Sequence, residues 1–349
     1  MKTFTIMQPK QVELIEVPKP VPAPDEAIIR VAYTGLCATD LAIHSGDMSL
    51  VRNGSIKYPV RFGHEWSGVI ESVGSEVKDF KPGDRVISEC SVTCGVCEAC
   101  QKQDWANCTD HKSLGTINCW DGSFAEYMHV PVRHLYKIPE CISLPEAALV
   151  EPTCISYVGV KAANVTPDKT VLVVGTGAIG LAAVGLAKHF GAKKIFLCGR
   201  KNGKLEIGKQ MGADVLINTT KDDTEAIIKE HTGGKGVDVV IETSGNVSVI
   251  PQCMCLAAKK GDVSLVGFYE QEVPSFPIDE IVMKSLHVHG VMGQLGTPKA
   301  VLRILEEGNM QLKPIISHIL PFAQTKDVME NIEQYNETRT KILFAVSDK

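Results

Sequence analysis

The sequence has no block of basic residues and no apolar leader, and both absences narrow the classes of function. Its 349 residues include 36 Lys and Arg against 41 Asp and Glu, which gives a net charge of −5. That balance, without a Lys/Arg cluster, argues against nucleic acid as a partner. Residues 1–6 contain no signal-peptide core, so we expect a cytoplasmic protein.

Long apolar runs are also missing. Residues 171–187 carry no charge, but four glycines interrupt them, and the segment is shorter than the roughly 20 residues of a membrane-spanning helix. A strand, a tight turn and a helix explain it better, and we expect no membrane contact. No internal repeat or low-complexity linker is present. The length and a hydrophobic content of 44% predict two packed domains.

Cysteine, by contrast, is abundant, with 12 residues. In a reducing compartment, clustered thiols bind metal more often than they form disulfides. The densest cluster consists of Cys94, Cys97, Cys100 and Cys108. Four thiolates close a tetrahedral zinc site, which is structural because no position stays open for a substrate. An iron–sulfur cluster is the alternative, but its common spacing ends in Cys-Pro and here Thr109 follows the last cysteine. Structural zinc is favoured, and the nearby Cys90 and His111 are interpreted as bystanders.

A second group of possible metal ligands lies in the first part of the chain, where strands are predicted at 13–17 and 26–33. His64 and Glu65 stand between glycines at 63 and 68, with a further glycine at 74 and Cys37 upstream. Glycines there permit close approach of the backbone. Taken alone, Cys37 is as consistent with a buried core thiol in a turn as with a ligand.

Glu151 is a carboxylate in apolar surroundings. Ser143 and Glu146 form a predicted capping box for a helix, and an apolar run leads from it into Glu151. A carboxylate in such a setting is costly unless it is paired or bound to metal. A glutamate turned to solvent at a helix end is the alternative, and the local sequence leaves both open.

From residue 171 the chain alternates between strands and helices. Strand-like residues 171–174 lead into a GxGxxG turn and a helix over 181–190. The turn consists of Gly175, Thr176, Gly177, Ala178, Ile179 and Gly180. Between a strand and a helix, such glycines let a dinucleotide pyrophosphate lie at the helix N-terminus. Strands at 194–198, 237–242 and 263–266, and helices near 203–211, 224–231 and 247–258, complete the pattern. It predicts an α/β Rossmann fold with a doubly wound parallel sheet.

The end of the second strand bears on the choice of dinucleotide. An NAD site usually has Asp or Glu there for the ribose 2′-OH, whereas this chain has Gly199, Arg200 and Lys201. No carboxylate repels a 2′-phosphate, and two cations are available to bind it. NADP is therefore favoured over NAD, and a solvated basic turn is the alternative.

After residue 290 the alternation fades. Helices are predicted at 298–307 and 326–335 and a final strand at 341–346, and we expect this tail to return to the first domain. The predicted domains are residues 1–153 with 291–349, and residues 154–290.

Over essentially its whole length the chain resembles the zinc-dependent medium-chain dehydrogenases, which include zinc alcohol, sorbitol and threonine dehydrogenases. The zinc signature at 63–77, the four-cysteine lobe at 94–108 and the cofactor turn at 175–180 carry the resemblance. It implies a GroES-like β-rich catalytic domain beside the Rossmann domain, with one catalytic and one structural zinc. It also implies hydride transfer between a secondary alcohol and NADP or NAD, and a homodimer or homotetramer.

The resemblance also implies a set of ligands for the catalytic zinc. Cys37 and His64 would bind it, Glu65 would bind it directly or lie one water away, and the last ligand position falls at Glu151. Glutamate followed by proline resembles polyol and threonine dehydrogenases at this position, whereas classical alcohol dehydrogenases have cysteine. Polyol-type chemistry is the prediction.

Roles in proton transfer follow from the same resemblance. Thr39 matches the hydroxyl that relays the alcohol proton, and Asp40 matches a residue near the zinc shell. Many polyol and threonine members have His two residues after that Asp, but this chain has Ala42, and His44 is the candidate for the proton exit. Segment 293–296 lacks the Arg that sorbitol-type enzymes use near the polyol.

The predicted substrate is a secondary alcohol of a polyol, sugar acid or cyclitol. An amino alcohol, as in threonine dehydrogenase, is the alternative. A non-enzymatic cofactor-binding member is disfavoured, because that class typically loses the catalytic ligands that are retained here.

Overall fold

The computed structural model describes residues 1–102, 104, 107–272, 275–293 and 296–347. They form two units, one around a largely antiparallel sheet and the other around a parallel sheet. Within the described ranges, no helix is both long enough and apolar enough to cross a membrane.

The strands are β1 (Lys2–Gln8), β2 (Gln11–Glu16), β3 (Glu26–Gly35), β4 (Glu65–Val73), β5 (Arg85–Ser88), β6 (Ser91–Val92), β7 (Lys112–Ser113), β8 (Tyr127–Pro131), β9 (Leu135–Lys137), β10 (Thr170–Val174), β11 (Lys194–Gly199), β12 (Val215–Asn218), β13 (Val237–Glu242), β14 (Ala257–Leu265), β15 (His287–Gly290), β16 (Ile316–Pro321) and β17 (Lys341–Ala345). The helices are α1 (Ala38–Ser45), α2 (Ser49–Arg52), α3 (Glu98–Gln101), α4 (Leu144–Ala147), α5 (Val150–Ala162), α6 (Ala178–His189), α7 (Asn202–Met211), α8 (Thr224–Thr232), α9 (Ile250–Leu256), α10 (Ile278–Lys284), α11 (Pro298–Glu306) and α12 (Thr325–Glu330).

The first unit is built on a sheet of order β16-β17-β3-β4-β5-β9, with β8 also paired to β3. Strands β3 and β4 are antiparallel neighbours, and β17 pairs with β3 on the other side. The tail therefore returns to the first unit. Ile29, Val31, Trp66 and Val86 lie in the core against this sheet.

The second unit has a parallel sheet of order β12-β11-β10-β13-β14-β15, which confirms the doubly wound prediction. Side chains alternate between two cores, because Val171 and Val173 enter one cluster and Leu172 the other. Strands β12 and β15 were missed by the sequence analysis. Both are four residues long, and β15 reads His-Val-His-Gly, which has no continuous apolar run.

Two predicted helices differ in detail. The one near 247–258 begins as a 3₁₀ turn, and α9 ends at Leu256. The one at 326–335 ends at Glu330, and a 3₁₀ turn follows over Ile332–Tyr335. The predicted domain boundary between residues 153 and 154 falls inside α5, so that one continuous helix joins the two units.

Candidate active site

The four-cysteine lobe brings its thiols together around one point. One sulfur from each of Cys94, Cys97, Cys100 and Cys108 lies within 4.8 Å of all the others, and the Sγ atoms of Cys94 and Cys100 are 3.9 Å apart. With Zn–S bonds of roughly 2.3 Å, a tetrahedral site separates its sulfurs by about 3.8 Å. The spacing fits a four-thiolate zinc site and is far too long for a disulfide.

Backbone N–H groups support negative charge in this lobe. The Cys94 N–H donates to Cys108 Sγ at 3.3 Å, and the Cys97 N–H donates to Cys94 Sγ at 3.4 Å. Backbone donors from Cys100 and Thr109 lower the pKa of Cys97 to about 6. Thiolate is the form that binds metal, so Cys97 is suited to bind an ion, whereas burial raises the pKa of Cys108 to about 11. Residues 103, 105 and 106 of this lobe lie outside the described ranges.

The second cluster consists of Cys37, His64 and Glu65, whose ligand atoms lie within 4.8 Å of one another. Strand pairing explains the meeting of two distant segments. Gly35 at the end of β3 lies opposite Glu65 at the start of β4, and Cys37 follows two residues later. A neutral imidazole, a thiolate and a carboxylate are ligands that zinc accepts.

Glu65 is held by a buried lysine from the far end of the chain. Lys341 Nζ donates to Glu65 Oε1 at 2.7 Å, to Glu65 Oε2 at 2.5 Å and to the Leu36 carbonyl at 3.2 Å. Both side chains are almost fully buried. Strand β17 carries Lys341 and lies beside β3, which explains the contact. The sequence analysis missed Lys341, and its only signal was a cation at the start of an apolar strand.

Asp40 lies behind His64 and Cys37. Its Oδ2 accepts a hydrogen bond from the Cys37 N–H at 2.9 Å, and its Oδ1 is 3.8 Å from His64 Nδ1. Burial raises the pKa of Asp40 to about 6, against the opposing charge of His64. A carboxylate beside the second ring nitrogen orients a metal-binding histidine. Asp40 Oδ1 and His64 Nδ1 make no hydrogen bond to any described residue, so Asp40 acts on the ring through its charge, and its role in the site stays a prediction.

The pocket demands positive charge between Cys37 and His64. Burial lowers the pKa of His64, but the Cys37 thiol, through its charge and a hydrogen bond, and the Asp40 carboxylate outweigh it and raise that pKa well above its ordinary value. A zinc ion bound by Cys37 and His64 would supply the positive charge that these surroundings favour, so the cluster fits the ion.

Glu151 is buried in the first turn of α5, which excludes the alternative of a solvent-facing glutamate. It is not among the groups within 4.8 Å of each other in the described residues. Its charge nevertheless raises the pKa values of both Cys90 and Lys341, so it lies near the cluster. Its role as a ligand stays a prediction.

Cys90 belongs beside this cluster and not with the four-cysteine lobe. Burial raises the pKa of its thiol to about 12, and the charges of His64, Glu151, Cys37 and Asp40 act on it as well. It follows β5, and no pattern in the sequence distinguishes it from the cysteines that come next. Cys90 belongs to neither group of possible metal ligands in the described residues, and its interpretation as a bystander stays a prediction.

Thr39 and His44 occupy different faces of α1. Five residues at about 100° each place their side chains roughly 140° apart around the helix. His44 is half-buried, burial lowers its pKa, and the charge that opposes this shift comes from Glu330. The geometry does not bring His44 to the zinc ligands, and a proton exit through it stays a prediction.

The glycine turn leaves room for a dinucleotide. Gly175 has a φ of +116°, and a Cβ there would lie 2.6 Å from Thr243 Oγ1. A Cβ at Gly177 would meet nothing within 4 Å among the described residues, so the space in front of α6 is open. Gly177 is the N-cap of α6, where Ala178, Ile179 and Gly180 form the first turn. Free N–H groups at that point suit a pyrophosphate.

A cleft of about 650 Å³ lies where β14 and β15 end, the edge at which such sheets bind ligands. Glu270 crosses it from the second unit. Its carboxylate accepts hydrogen bonds from Ser49 N and Ser49 Oγ at 2.8 and 2.9 Å and pairs with Arg52 at 3.2 Å. Gln294 and Leu295 of segment 293–296 lie outside the described residues.

Comparisons with known proteins agree with this geometry. Two family models match the chain, the alcohol dehydrogenase GroES-like domain over residues 23–140 and the zinc-binding dehydrogenase over residues 178–307. A sorbitol dehydrogenase of Bacillus subtilis (strain 168) is 31% identical over 98% of this chain and 96% of its own. An L-threonine 3-dehydrogenase of Bacillus velezensis is 34% identical over 88% of each chain. A solved zinc-binding dehydrogenase from Sinorhizobium meliloti 1021, bound to NADP, superposes with a TM-score of 0.90 at 28% identity and covers 99% of this chain and 98% of that one.

Proposed function

This chain belongs to the zinc-dependent medium-chain dehydrogenases, and we propose that it oxidises a secondary alcohol of a polyol, sugar acid or cyclitol with NADP as the hydride acceptor. The observation that carries the proposal is the convergence of Cys37, His64 and Glu65 within 4.8 Å in a chain that also has the dinucleotide turn. Glu151, buried near them, is the remaining ligand of the proposed site.

Each residue of the site has a defined task in this proposal. Zinc supplies a Lewis acid that makes a hydroxyl more acidic, and the nicotinamide accepts a hydride. Cys37 and His64 bind the ion, and Asp40 places a negative charge 3.8 Å from the second ring nitrogen of His64. Thr39 receives the proton of the substrate hydroxyl. Lys341 pairs with both oxygens of Glu65, so we place Glu65 one water away from the ion and Glu151 as its carboxylate ligand.

NADP as the dinucleotide is supported at the end of β11. A Cβ at Gly199 would meet the side chain of Thr176 in the glycine turn, so an acidic side chain at this position would require Thr176 to move. Arg200 and Lys201 follow at once and offer charge to a 2′-phosphate.

A second candidate function is oxidation of an amino alcohol. Relatives named L-threonine 3-dehydrogenase are as similar to this chain as those named sorbitol dehydrogenase, and Glu151 is compatible with both. A screen of polyols, sugar acids, cyclitols and amino alcohols, each with NAD and NADP, separates them by the absorbance of the reduced cofactor. We expect kcat/KM for the best polyol-type substrate to exceed that for threonine by about tenfold or more, which is the range that pocket contacts supply. Turnover of threonine alone would select the second candidate.

The four-cysteine lobe is proposed to hold a structural zinc. The sulfur separation of 3.9 Å supports it, and the iron–sulfur alternative predicts visible absorbance that a zinc protein lacks.

We propose that the chain associates with a second copy through the edge of the parallel sheet. Strand β15 pairs only with β14 among the described strands, and an open edge can pair with another chain. Apolar side chains are exposed beside it, with Val288 on β15 and Val282 and Met283 on α10 exposed by 38%, 72% and 67%. Self-pairing of one edge produces a symmetric dimer, the unit from which a tetramer is also built.

A charge on this surface should separate the copies. Val282→Glu is expected to convert the oligomer to monomers, because association would bury an unpaired carboxylate. Sedimentation velocity measures the mass. The matched control is Val21→Glu, since Val21 is 84% exposed on the other unit and its exchange should leave the mass unchanged. A Val282→Glu protein with the wild-type mass contradicts the proposed interface.

A further inference from the structure

Cations from both units gather at the end of β11, beyond the residues that the sequence analysis named. Arg200 and Lys201 follow β11, and Lys204 lies in the first turn of α7. Arg339 comes from the returning tail, two residues before β17.

Contacts across the units and within the tail fix this arrangement. Lys201 Nζ forms an ion pair with Glu337 of the tail. The backbone N–H of Arg339 donates to the Tyr335 carbonyl at 2.7 Å, and Thr340 Oγ1 donates to the Ile315 carbonyl at 2.5 Å. Helix α7 packs against the 3₁₀ turn at 313–315. The tail is therefore held over the N-terminal end of α7.

The charges of this group do not balance. Four cations, Arg200, Lys201, Lys204 and Arg339, face one carboxylate, Glu337, which leaves three positive charges (4 − 1) on a chain whose net charge is −5. Burial lowers the pKa of Lys204, and the charge of Arg339 is the largest further cause. A phosphate dianion matches such a group of ammonium and guanidinium donors.

Arg339 also has an unused donor. Its Nη1 is buried and makes no hydrogen bond to any described residue, and burial lowers the pKa of its guanidinium. An unsatisfied buried donor costs free energy, which a ligand oxygen at that atom would recover.

We propose that Arg339 is a specificity-determining residue for the cofactor, which binds the adenosine 2′-phosphate of NADP together with Arg200 and Lys201. The proposal rests on the proposed function for the use of a nicotinamide dinucleotide. Glu337 pairs with Lys201 when no phosphate is bound, and the phosphate displaces Glu337 from Lys201. NAD, which has a hydroxyl at this position, offers no charge to the group.

One consequence concerns the two units. Arg339 belongs to the catalytic unit, whereas Arg200 and Lys201 belong to the cofactor-binding unit. The phosphate of NADP thus connects the units directly, and NAD does not.

Titration of NADPH and NADH by their fluorescence tests the proposal without turnover. In Arg339→Gln, the Kd of NADPH should rise about tenfold to a hundredfold, the range of a lost charge-assisted contact, while the Kd of NADH stays within about twofold. Arg339→Lys keeps the charge but loses the two-pronged guanidinium group. Its Kd for NADPH should lie between those of the wild type and Arg339→Gln. Glu337→Gln should act in the opposite direction and tighten NADPH, because it removes the competitor at Lys201. The matched control is Arg303→Gln, whose arginine is exposed and pairs only within α11 and its end.

Several results would overturn the inference. Equal losses of affinity for NADPH and NADH in Arg339→Gln would mean that the arginine contacts a part common to both dinucleotides, or that it only stabilises the fold. Unchanged affinities would exclude a contact, and an Arg339→Gln protein that unfolds leaves the Glu337→Gln and Arg339→Lys titrations to decide. Tighter binding of NADH than NADPH by the wild type overturns the NADP assignment together with this inference, but leaves alcohol oxidation standing. Absence of alcohol oxidation, in contrast, would not alter the titrations.

Discussion

Replacement of Cys37 by serine is expected to lower kcat/KM by about a thousandfold or more while NADPH binding is unchanged. The exchange removes a thiolate from the three groups that converge within 4.8 Å. A bound metal contributes several kcal/mol to the reaction, and each 1.36 kcal/mol is a factor of ten. The glycine turn at 175–180 lies in the other unit, so the dinucleotide site should be intact.

The number of zinc ions bound per chain, measured in wild type and variants, provides the controls for this prediction. The wild type should hold two zinc ions per chain, and Cys37→Ser should hold one. Cys100→Ser should also hold one zinc ion. It should still oxidise the alcohol at the remaining site, but it should lose thermal stability, because the four-cysteine lobe lacks one of its ligands. Cys141→Ser exchanges an exposed thiol outside both clusters and should keep both ions. A Cys37→Ser protein with one zinc and full turnover would refute the assigned role of Cys37.

Local patterns in the sequence predicted those parts of the site that fold from contiguous residues. The four thiols of the lobe lie within fifteen positions, from Cys94 to Cys108, and their spacing alone indicated one tetrahedral centre. The turn at 175–180 was equally readable, because the required φ of Gly175 and the close packing of Gly180 select glycine.

Parts that depend on distant residues were not predictable in this way. Cys90 follows a short strand like any core thiol, and only the tertiary fold turns it towards His64. The partner of Glu65 lies 276 residues away. Edge strand β15 carries two histidines and a glycine, and only its neighbour β14 determines that it is a strand.

Replacement of Lys341, the distant partner of Glu65, is the second change for which we expect a large effect. In Lys341→Met, an ionised Glu65 stays buried without its cation, and breaking one side of a buried pair costs about 3–5 kcal/mol. We expect the free energy of unfolding to fall by that amount. The affinity for zinc at the site of Cys37 and His64 should change with it. Chemical denaturation of the zinc-loaded protein measures the first, and competition with a chelator measures the second.

The matched control is a lysine-to-methionine exchange at the surface. Lys19 pairs with Glu71 at 2.7 Å, but both side chains are about two-fifths exposed, and such pairs contribute only about 0–1 kcal/mol. Lys19→Met should therefore be nearly neutral. Glu65→Gln placed in the Lys341→Met background removes the unpaired charge and should restore part of the lost stability. Equal stability of the Lys341→Met and Lys19→Met proteins would contradict a structural role of the pair.

The pH dependence distinguishes a charge effect from a change in packing at Lys341. Burial lowers the pKa of Lys341, but the charges of Glu65 and Cys37 outweigh it and raise that pKa above the ordinary value of 10.5. A group whose folded pKa is raised contributes its full stabilisation below the unfolded value and loses it as pH rises through the folded one. The deficit of Lys341→Met should therefore be constant between pH 7 and pH 9 and shrink only above pH 10.5. A deficit that persists unchanged as the wild-type lysine deprotonates would assign it to the packing of the lysine stem instead of its charge.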